Sequence, residues 1–536
     1  MKVFNRKINY RLASLCIPAL FMAATDAFSE TINLYWSGGN ASSDLNVTKA
    51  NNWSVSPSEW TPPAELDLSN SILIFDKATK NHWEPNIARA SMSTSTVIAG
   101  IVNSYRTEYH VNTNEGIKVS GNYDIDVTQQ LSSDGTIVKG IRFALGTGNG
   151  KDFLNVGGDM NINTGGYLHT IVSNVASENR IAYSLTVGGA LSFTHSGNSG
   201  YHVFNVRENF NTDIAPYSTF TANLGGLSSD KAVLFTAGIN VAERFVFQNA
   251  ADGSFKGGDF KGVFANASGV SSDLSFEMNA DGRQSISIYK ASNTAAHGIE
   301  NSPYAKEDAT ISSISVMKGD FIINTELAVG NITMSGGRLG FSSDEKVGTL
   351  TIDGGELLFG KTIAVGDLII GVEKLNIVFN TEDISANGLT VLTYDHIDIP
   401  VPVEEMFVAY DINGNALGGE FSIVGEAGGP GSIMYTIPEP AEIAAFLGIM
   451  ALAVSAFYRR RAKYKHFLGF VAARCGPPFF AVVFFAERVL YRRVWGYYIR
   501  RNGQSFLFQK VVPCEGDTAI RNYANWYARC GECAKV

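Results

Sequence analysis

The run Leu154-Asn155-Val156-Gly157-Gly158-Asp159-Met160-Asn161-Ile162 limits most tightly what this chain can fold into. Apolar and polar residues alternate on both sides of a glycine pair. Alternation with period two is the pattern of a strand with one buried face, and paired glycines suit a tight corner. The same cassette recurs at Leu185-Thr186-Val187-Gly188-Gly189-Ala190-Leu191-Ser192-Phe193 and at Leu350-Thr351-Ile352-Asp353-Gly354-Gly355-Glu356-Leu357-Leu358. Looser copies run from Ile117 to Ile125, Leu327 to Met334 and Ile363 to Ile370. The starts fall at 117, 154, 185, 327, 350 and 363, too irregular for a strict short-period repeat. A helical pattern is almost absent before residue 441. The expected class is all-β. Strand–corner–strand units of this kind stack into a β-solenoid, or β-helix, spanning 117–389, with inward residues forming one apolar stripe. Stacked hairpins or sandwich domains share the alternation but connect it differently. The asparagine-rich, aliphatic-rich alternation favours the solenoid.

Cysteine is confined to positions 16, 475, 514, 530 and 533. The long central segment therefore has neither a disulfide framework nor thiol chemistry. Hydrogen-bonded sheet and apolar burial must stabilise it, and a segment of roughly 400 residues is ample for that. Residues 30–458 carry 23 Lys/Arg against 46 Asp/Glu, whereas residues 459–536 carry 15 against four. An acidic central segment disfavours nucleic acid and anionic membrane surfaces as partners.

Both ends carry targeting features. Lys2, Arg6, Lys7 and Arg11 precede the apolar stretch Leu12 to Ala24, and Ala27-Phe28-Ser29 follows. This is the layout of a cleaved secretory signal peptide over residues 1–29. Near the other end, Pro438-Glu439-Pro440 leads into the apolar run 441–458 and then Arg459-Arg460-Arg461. Eighteen residues meet the lower limit for a transmembrane helix, and the arginines read as a cytoplasmic stop. The two prolines hold the approach extended. Residues 438–461 resemble the PEP-CTERM sorting signal of bacterial exported proteins. That resemblance implies an exosortase-type processing protease acting at Pro438, Glu439 and Pro440, and transient anchoring in the inner membrane. It also implies a final place at the cell surface or outside the cell, with an exopolysaccharide as partner. The family signal normally closes the chain, but here 75 residues follow Arg461. This tail, 462–536, is basic, holds Cys530-Gly531-Glu532-Cys533, and departs abruptly in composition from what precedes it.

The segments flanking the repeats differ from them. Residues 30–116 hold Trp36, Trp53, Trp60 and Trp83. Tyr35-Trp36-Ser37-Gly38-Gly39, with Asn51-Asn52-Trp53-Ser54, resembles the N-terminal segments of autotransporter-like β-repeat passengers. Large aromatics can close the open end of a solenoid. Residues 390–437 read as the closing β cap, ending in a glycine-rich linker.

Chemistry finds little support. Seven of the eight histidines are scattered through 82–396, without zinc spacing or a His-Glu-x-x-His motif. Neither a Gly-x-Ser-x-Gly elbow nor a phosphate loop is present. Asp124 and Asp126 share a strand face, as carboxylates of a polysaccharide lyase or glycosidase would, although a solvated face is the plainer reading. Asp411-Ile412-Asn413-Gly414-Asn415 resembles the opening of a calcium loop, but its glycine is misplaced and it reads as a hairpin turn. Trp36, Trp53, Trp60 and Trp83 are candidate carbohydrate contacts, with a core or cap role as the alternative. The reading is a non-enzymatic, exported β-repeat protein with no cofactor and no metal site. A carbohydrate-active β-helix enzyme and a carbohydrate-binding surface protein are its rivals.

Overall fold

The computed structural model describes most of residues 31–436, together with 450–452 and four strands between 471 and 512. Among the interior stretches it leaves out are 38–44, 77–87, 128–138 and 209–217. The chain divides into two compact units, Met1–Gly355 with Ala364–Gly366, and Glu356–Ile363 with Asp367–Val536. The architecture is mostly β, with large parallel sheets and no closed barrel.

In the first unit each glycine cassette is a corner between two strands. Lys151–Val156 ends at Gly157-Gly158 and Met160–Thr164 begins beyond it. Ala182–Val187 and Leu191–His195 repeat the arrangement around Gly188-Gly189. The corners stack on one another. Gly157 N donates to Val119 O at 2.7 Å, Gly188 N to Val156 O at 2.8 Å, and Gly225 N to Val187 O at 2.9 Å. A Cβ on Gly157 would sit 2.5 Å from Ser120 O, and one on Gly188 would collide with Gly157 O. Glycine is needed here because backbone passes over backbone.

The strands join into three parallel ladders. The first runs through Ile32–Trp36, Ser71–Phe75, Gly100–Asn103, Tyr123–Val127, Met160–Thr164, Leu191–His195 and Leu227–Ser229. The second runs from Ala88–Met92 through Thr107–Val111, Lys139–Leu145, Leu168–Asn174, His202–Glu208, Val233–Ala237 and Gly258–Asn266 to Arg283–Tyr289 and Asp320–Thr325. The third runs from Val97–Ile98 through Ile117–Val119, Lys151–Val156, Ala182–Val187, Ser218–Leu224, Val241–Gln248 and Ser272–Asn279 to Thr310–Val316. From Thr107 to Ser229 the chain visits them in the fixed order second, third, first.

In-register pairing places like side chains above one another. Phe204, Phe235 and Phe264 stack at successive centroid distances of 5.2 Å, and Phe245 stacks on Phe276 at 5.5 Å. Each such pair adds about 0.5–1.5 kcal/mol beyond the burial itself. At the N-terminal end Trp36, Trp53 and Phe75 cluster, and Phe75 meets Tyr109. The short strand Trp53–Ser54 pairs antiparallel with Ile32–Trp36 and so finishes the first ladder.

A strict repeat does exist in one stretch, contrary to the irregular spacing of the cassette starts. From Gly319, an 18-residue period carries Gly319, Gly337 and Gly355, then Val329-Gly330, Val347-Gly348 and Val365-Gly366. Phe321, Leu339 and Leu357 share a phase, as do Ile332, Leu350 and Leu368, and all six are buried. Gly337 and Gly355 have φ of 66° and 90°, conformations that side chains other than glycine resist. Upstream the spacing between paired residues is longer, 31 from Val241 to Ser272 and 37 from Asp124 to Asn161, and an insertion carrying the 3-10 helix Ala291–His297 precedes the 18-residue stretch. Ala291 and Ile299 of that insertion cover an apolar cluster formed by Tyr201, Val203, Leu234, Val263 and Ala265.

In the second unit Leu375–Phe379 pairs in parallel with Phe407–Asp411, while Gly431–Thr436 pairs antiparallel with both Leu389–Asp398 and Glu420–Gly425. Phe379, Phe421 and Tyr435 form its aromatic centre. The tail contributes an antiparallel meander of Val471–Arg474, Ala481–Val489, Arg492–Arg501 and Gln504–Val512.

Candidate functional site

The outward face of the first ladder carries the acidic pair expected from sequence. Asp124 and Asp126 alternate with the buried Tyr123, Ile125 and Val127. Parallel register sets Asn161 beside Asp124 and Asn163 beside Asp126. Asn161 Nδ2 donates to Asp124 Oδ1 at 2.8 Å, and Asn163 Nδ2 donates to Asp126 Oδ1 at 3.1 Å. One strand further, Thr194 Oγ1 donates to Asn163 Oδ1 at 3.3 Å, and Ser228 Oγ to Ser192 Oγ at 2.9 Å. The carboxylates thus begin polar ladders that run across the strands. This is the solvated-face arrangement, with each acid bound to an amide. Among the described residues no group of three His, Cys, Asp or Glu side chains is placed to hold a metal ion.

A second ladder follows the corners. Asp159 N donates to Asn122 Oδ1 at 3.0 Å, and Ala190 N donates to Asp159 Oδ1 at 2.9 Å. Lys256 Nζ reaches the other oxygen of Asp159 at 3.0 Å. Asx side chains here hold successive corners in register, and the exposed ion pair contributes at most about 1 kcal/mol.

Trp36 and Trp53 are buried, 4% and 0% exposed, so their ring faces are covered by the N-terminal core rather than offered to a sugar. Trp53 Nε1 donates to Val47 O at 2.7 Å. Trp60 is 45% exposed and keeps an accessible ring. Trp83 lies outside the described residues, as do Pro438, Glu439, Pro440, Arg459, Arg460 and Arg461. Of the expected membrane helix 441–458, only Met450, Ala451 and Leu452 are described; they are helical and exposed. Among the described residues no helix is long and apolar enough to cross a membrane. The Asp411 turn is a capping turn. Asp411 Oδ1 accepts from Asn413 N at 2.9 Å and from Asn415 N at 2.8 Å, and Asn415 Nδ2 donates to Oδ2 at 2.8 Å. These hydrogen bonds, led by the Asn415 side chain, hold the Asp411 carboxyl below its ordinary value. Leu417 N then donates to Ala409 O, so the turn folds back along the edge of Phe407–Asp411.

Four of the buried ionisable or polar residues, His195, His202, Glu243 and Gln284, belong to no sequence motif. His202 and His195 lie 6.1 Å apart, ring to ring, at the corner between the first and second ladders. His202 Nε2 donates to Thr194 O at 2.9 Å, which assigns its proton, because a carbonyl only accepts. Burial lowers His202 from 6.5 to about 4; the Thr194 bond and Asp230 oppose this, and His195 adds to it. Glu243 is 3% exposed, and burial raises it from 4.5 to about 8. Gln284 is fully buried. The signal for Glu243 was available in Val241-Ala242-Glu243-Arg244-Phe245, where it takes the phase of Val241 and Phe245.

No protein-family model, curated protein or solved structure matches this chain.

Proposed function

We propose that this chain is an exported, non-enzymatic cell-surface or matrix protein built as a β-solenoid. It would be anchored through its PEP-CTERM-like signal and processed beside Pro438-Glu439-Pro440 by an exosortase-type protease. The observation that carries the reading is the pairing of two things. Export-type features bracket a segment whose strands stack in three parallel ladders around an apolar interior. Successive turns of a solenoid need parallel pairing between equivalent strands, and the register between Tyr123, Met160, Leu191 and Leu227 supplies it. The outward face offers amides, hydroxyls and carboxylates already bonded to one another, which suits a scaffold or adhesive surface more than an acid–base pair. An exopolysaccharide partner follows from the family resemblance alone.

The test is the mass and location of the mature protein in its own host. A released or surface-linked product ending near residue 440 supports the reading. An intact chain retained in the inner membrane with residues 462–536 attached overturns it.

A further inference from the structure

Glu243 lies on Val241–Gln248, whose inward positions are Val241, Glu243, Phe245 and Phe247. Its partners in register are Phe220 on one side and Leu274 on the other. The adjacent Phe245 meets Phe235 and Phe264 of the second ladder, so the surroundings are apolar. Among the described residues no hydrogen bond or ion pair reaches the Glu243 carboxylate. The charged groups described on the neighbouring strands point elsewhere, and the side chains of Arg207 and Glu208 on His202–Glu208 lie outside the described residues. Arg244 is exposed and pairs with Glu277; Asp273, Asp259 and Lys261 are exposed. Ser218–Leu224 and Val233–Ala237 carry no ionisable side chain. The connecting sequences 209–217, 238–240 and 267–271 contain Asp213 but no lysine or arginine.

The position of this strand adds a second observation. The last separate strand of the first ladder is Leu227–Ser229; the next strand after Val241–Gln248, Gly258–Asn266, lies against Ser229 through Lys261 N, which donates to Ser229 Oγ at 2.9 Å, and pairs with the second ladder over Gly262–Asn266. Val241–Gln248 therefore belongs to the turn at which one strand, Gly258–Asn266, serves both the first and the second ladder.

We propose that Glu243 is an alkaline switch built into this junction: its ionisation uncouples Val241–Gln248 from the neighbouring strands of the third ladder. A neutral carboxyl is tolerated in an apolar interior, but a carboxylate with no cation is not. Burial holds the group protonated up to about pH 8 in the folded chain, whereas the unfolded chain ionises near 4.5. The folded state thus binds the extra proton between these values. Its stabilisation is complete below 4.5, declines as pH rises, and is gone above 8. Local opening relieves the charge by admitting water.

Hydrogen exchange of the full chain at pH 6 and pH 9, corrected for the chemical exchange rate, tests this. In the wild type, protection across 218–224, 241–248 and 272–279 falls by up to about a hundredfold between pH 6 and pH 9, about tenfold for each unit below the shifted ionisation near 8. Glu243→Gln keeps its protection at both values. If that variant does not fold, Glu243→Leu gives the same readout with an apolar side chain. Equal pH dependence in wild type and variant overturns the proposal, as does a loss spread evenly over all three ladders.

Discussion

The Gln284 side chain hydrogen-bonds both backbone groups of Leu227: Oε1 accepts from Leu227 N at 3.0 Å, and Nε2 donates to Leu227 O at 2.8 Å. A side-chain amide thus satisfies the Leu227 backbone beside Gly258–Lys261, whose Lys261 N bonds Ser229 Oγ. Nε2 also donates to Gly258 O at 3.0 Å. Gln284→Leu leaves these buried groups without partners, at about 1–3 kcal/mol for each one stranded. We expect a fall of roughly 2–4 kcal/mol in stability. Thermal unfolding checks it, and an unchanged midpoint would show that water replaces the amide.

His202 predicts the acid limb of the stability profile. Its folded-state value lies near 4, against 6.5 in the unfolded chain. The unfolded state therefore binds more protons between these values, and stability is lost as pH falls from 6.5 towards 4. The loss is roughly 3 kcal/mol at most. Glu243 acts with the opposite sign over 4.5 to 6.5, so His202→Gln is best compared in the Glu243→Gln background. There the acid limb should flatten; a limb of unchanged slope would assign it to other groups.

The stacked corners predict a contrast between glycines. Gly188→Ala drives a methyl into the Gly157 carbonyl, which neighbouring backbone bonds hold in place. A cost of about 1–3 kcal/mol follows. Gly360 has nothing within 4 Å of an added Cβ, so Gly360→Ala should change stability by less than about 0.5 kcal/mol. Chemical denaturation of the two variants side by side measures the difference.

The N-terminal aromatics separate in the same way. Trp53→Ala empties a site between Trp36 and Phe75, centroids 4.8 and 5.7 Å away, and strands the Val47 carbonyl. It should cost about 3–5 kcal/mol. Trp60→Ala, at an exposed position, should leave the unfolding midpoint within about 0.5 kcal/mol of wild type. If Trp60 is a sugar contact, its removal weakens polysaccharide binding without moving that midpoint.

Local rules were legible in the chain itself. Alternation marked the strands, glycine pairs marked the corners, and the cysteine-free interval left burial and sheet hydrogen bonding to hold them. Each of these depends on residues a few positions apart, so the sequence states them directly. The 18-residue period was also written there, in Gly319, Gly337 and Gly355, but the longer spacings upstream, such as 31 from Val241 to Ser272, obscure it.

Partnership was decided only in three dimensions. Nothing local places Asn161 beside Asp124, Gln284 against Leu227, or Lys256 on Asp159. Those contacts arise from which strand lies next in each parallel ladder, and that depends on the lengths of the intervening connections. The same holds for the tryptophans. Trp36 and Trp53 share a residue type and a neighbourhood with Trp60, yet only the first two point inward, because the antiparallel pairing of Tyr35 with Ser54 and Trp36 with Trp53 turns both rings towards Phe75. Alternation tells which residues share a face; packing alone determines which face becomes the interior.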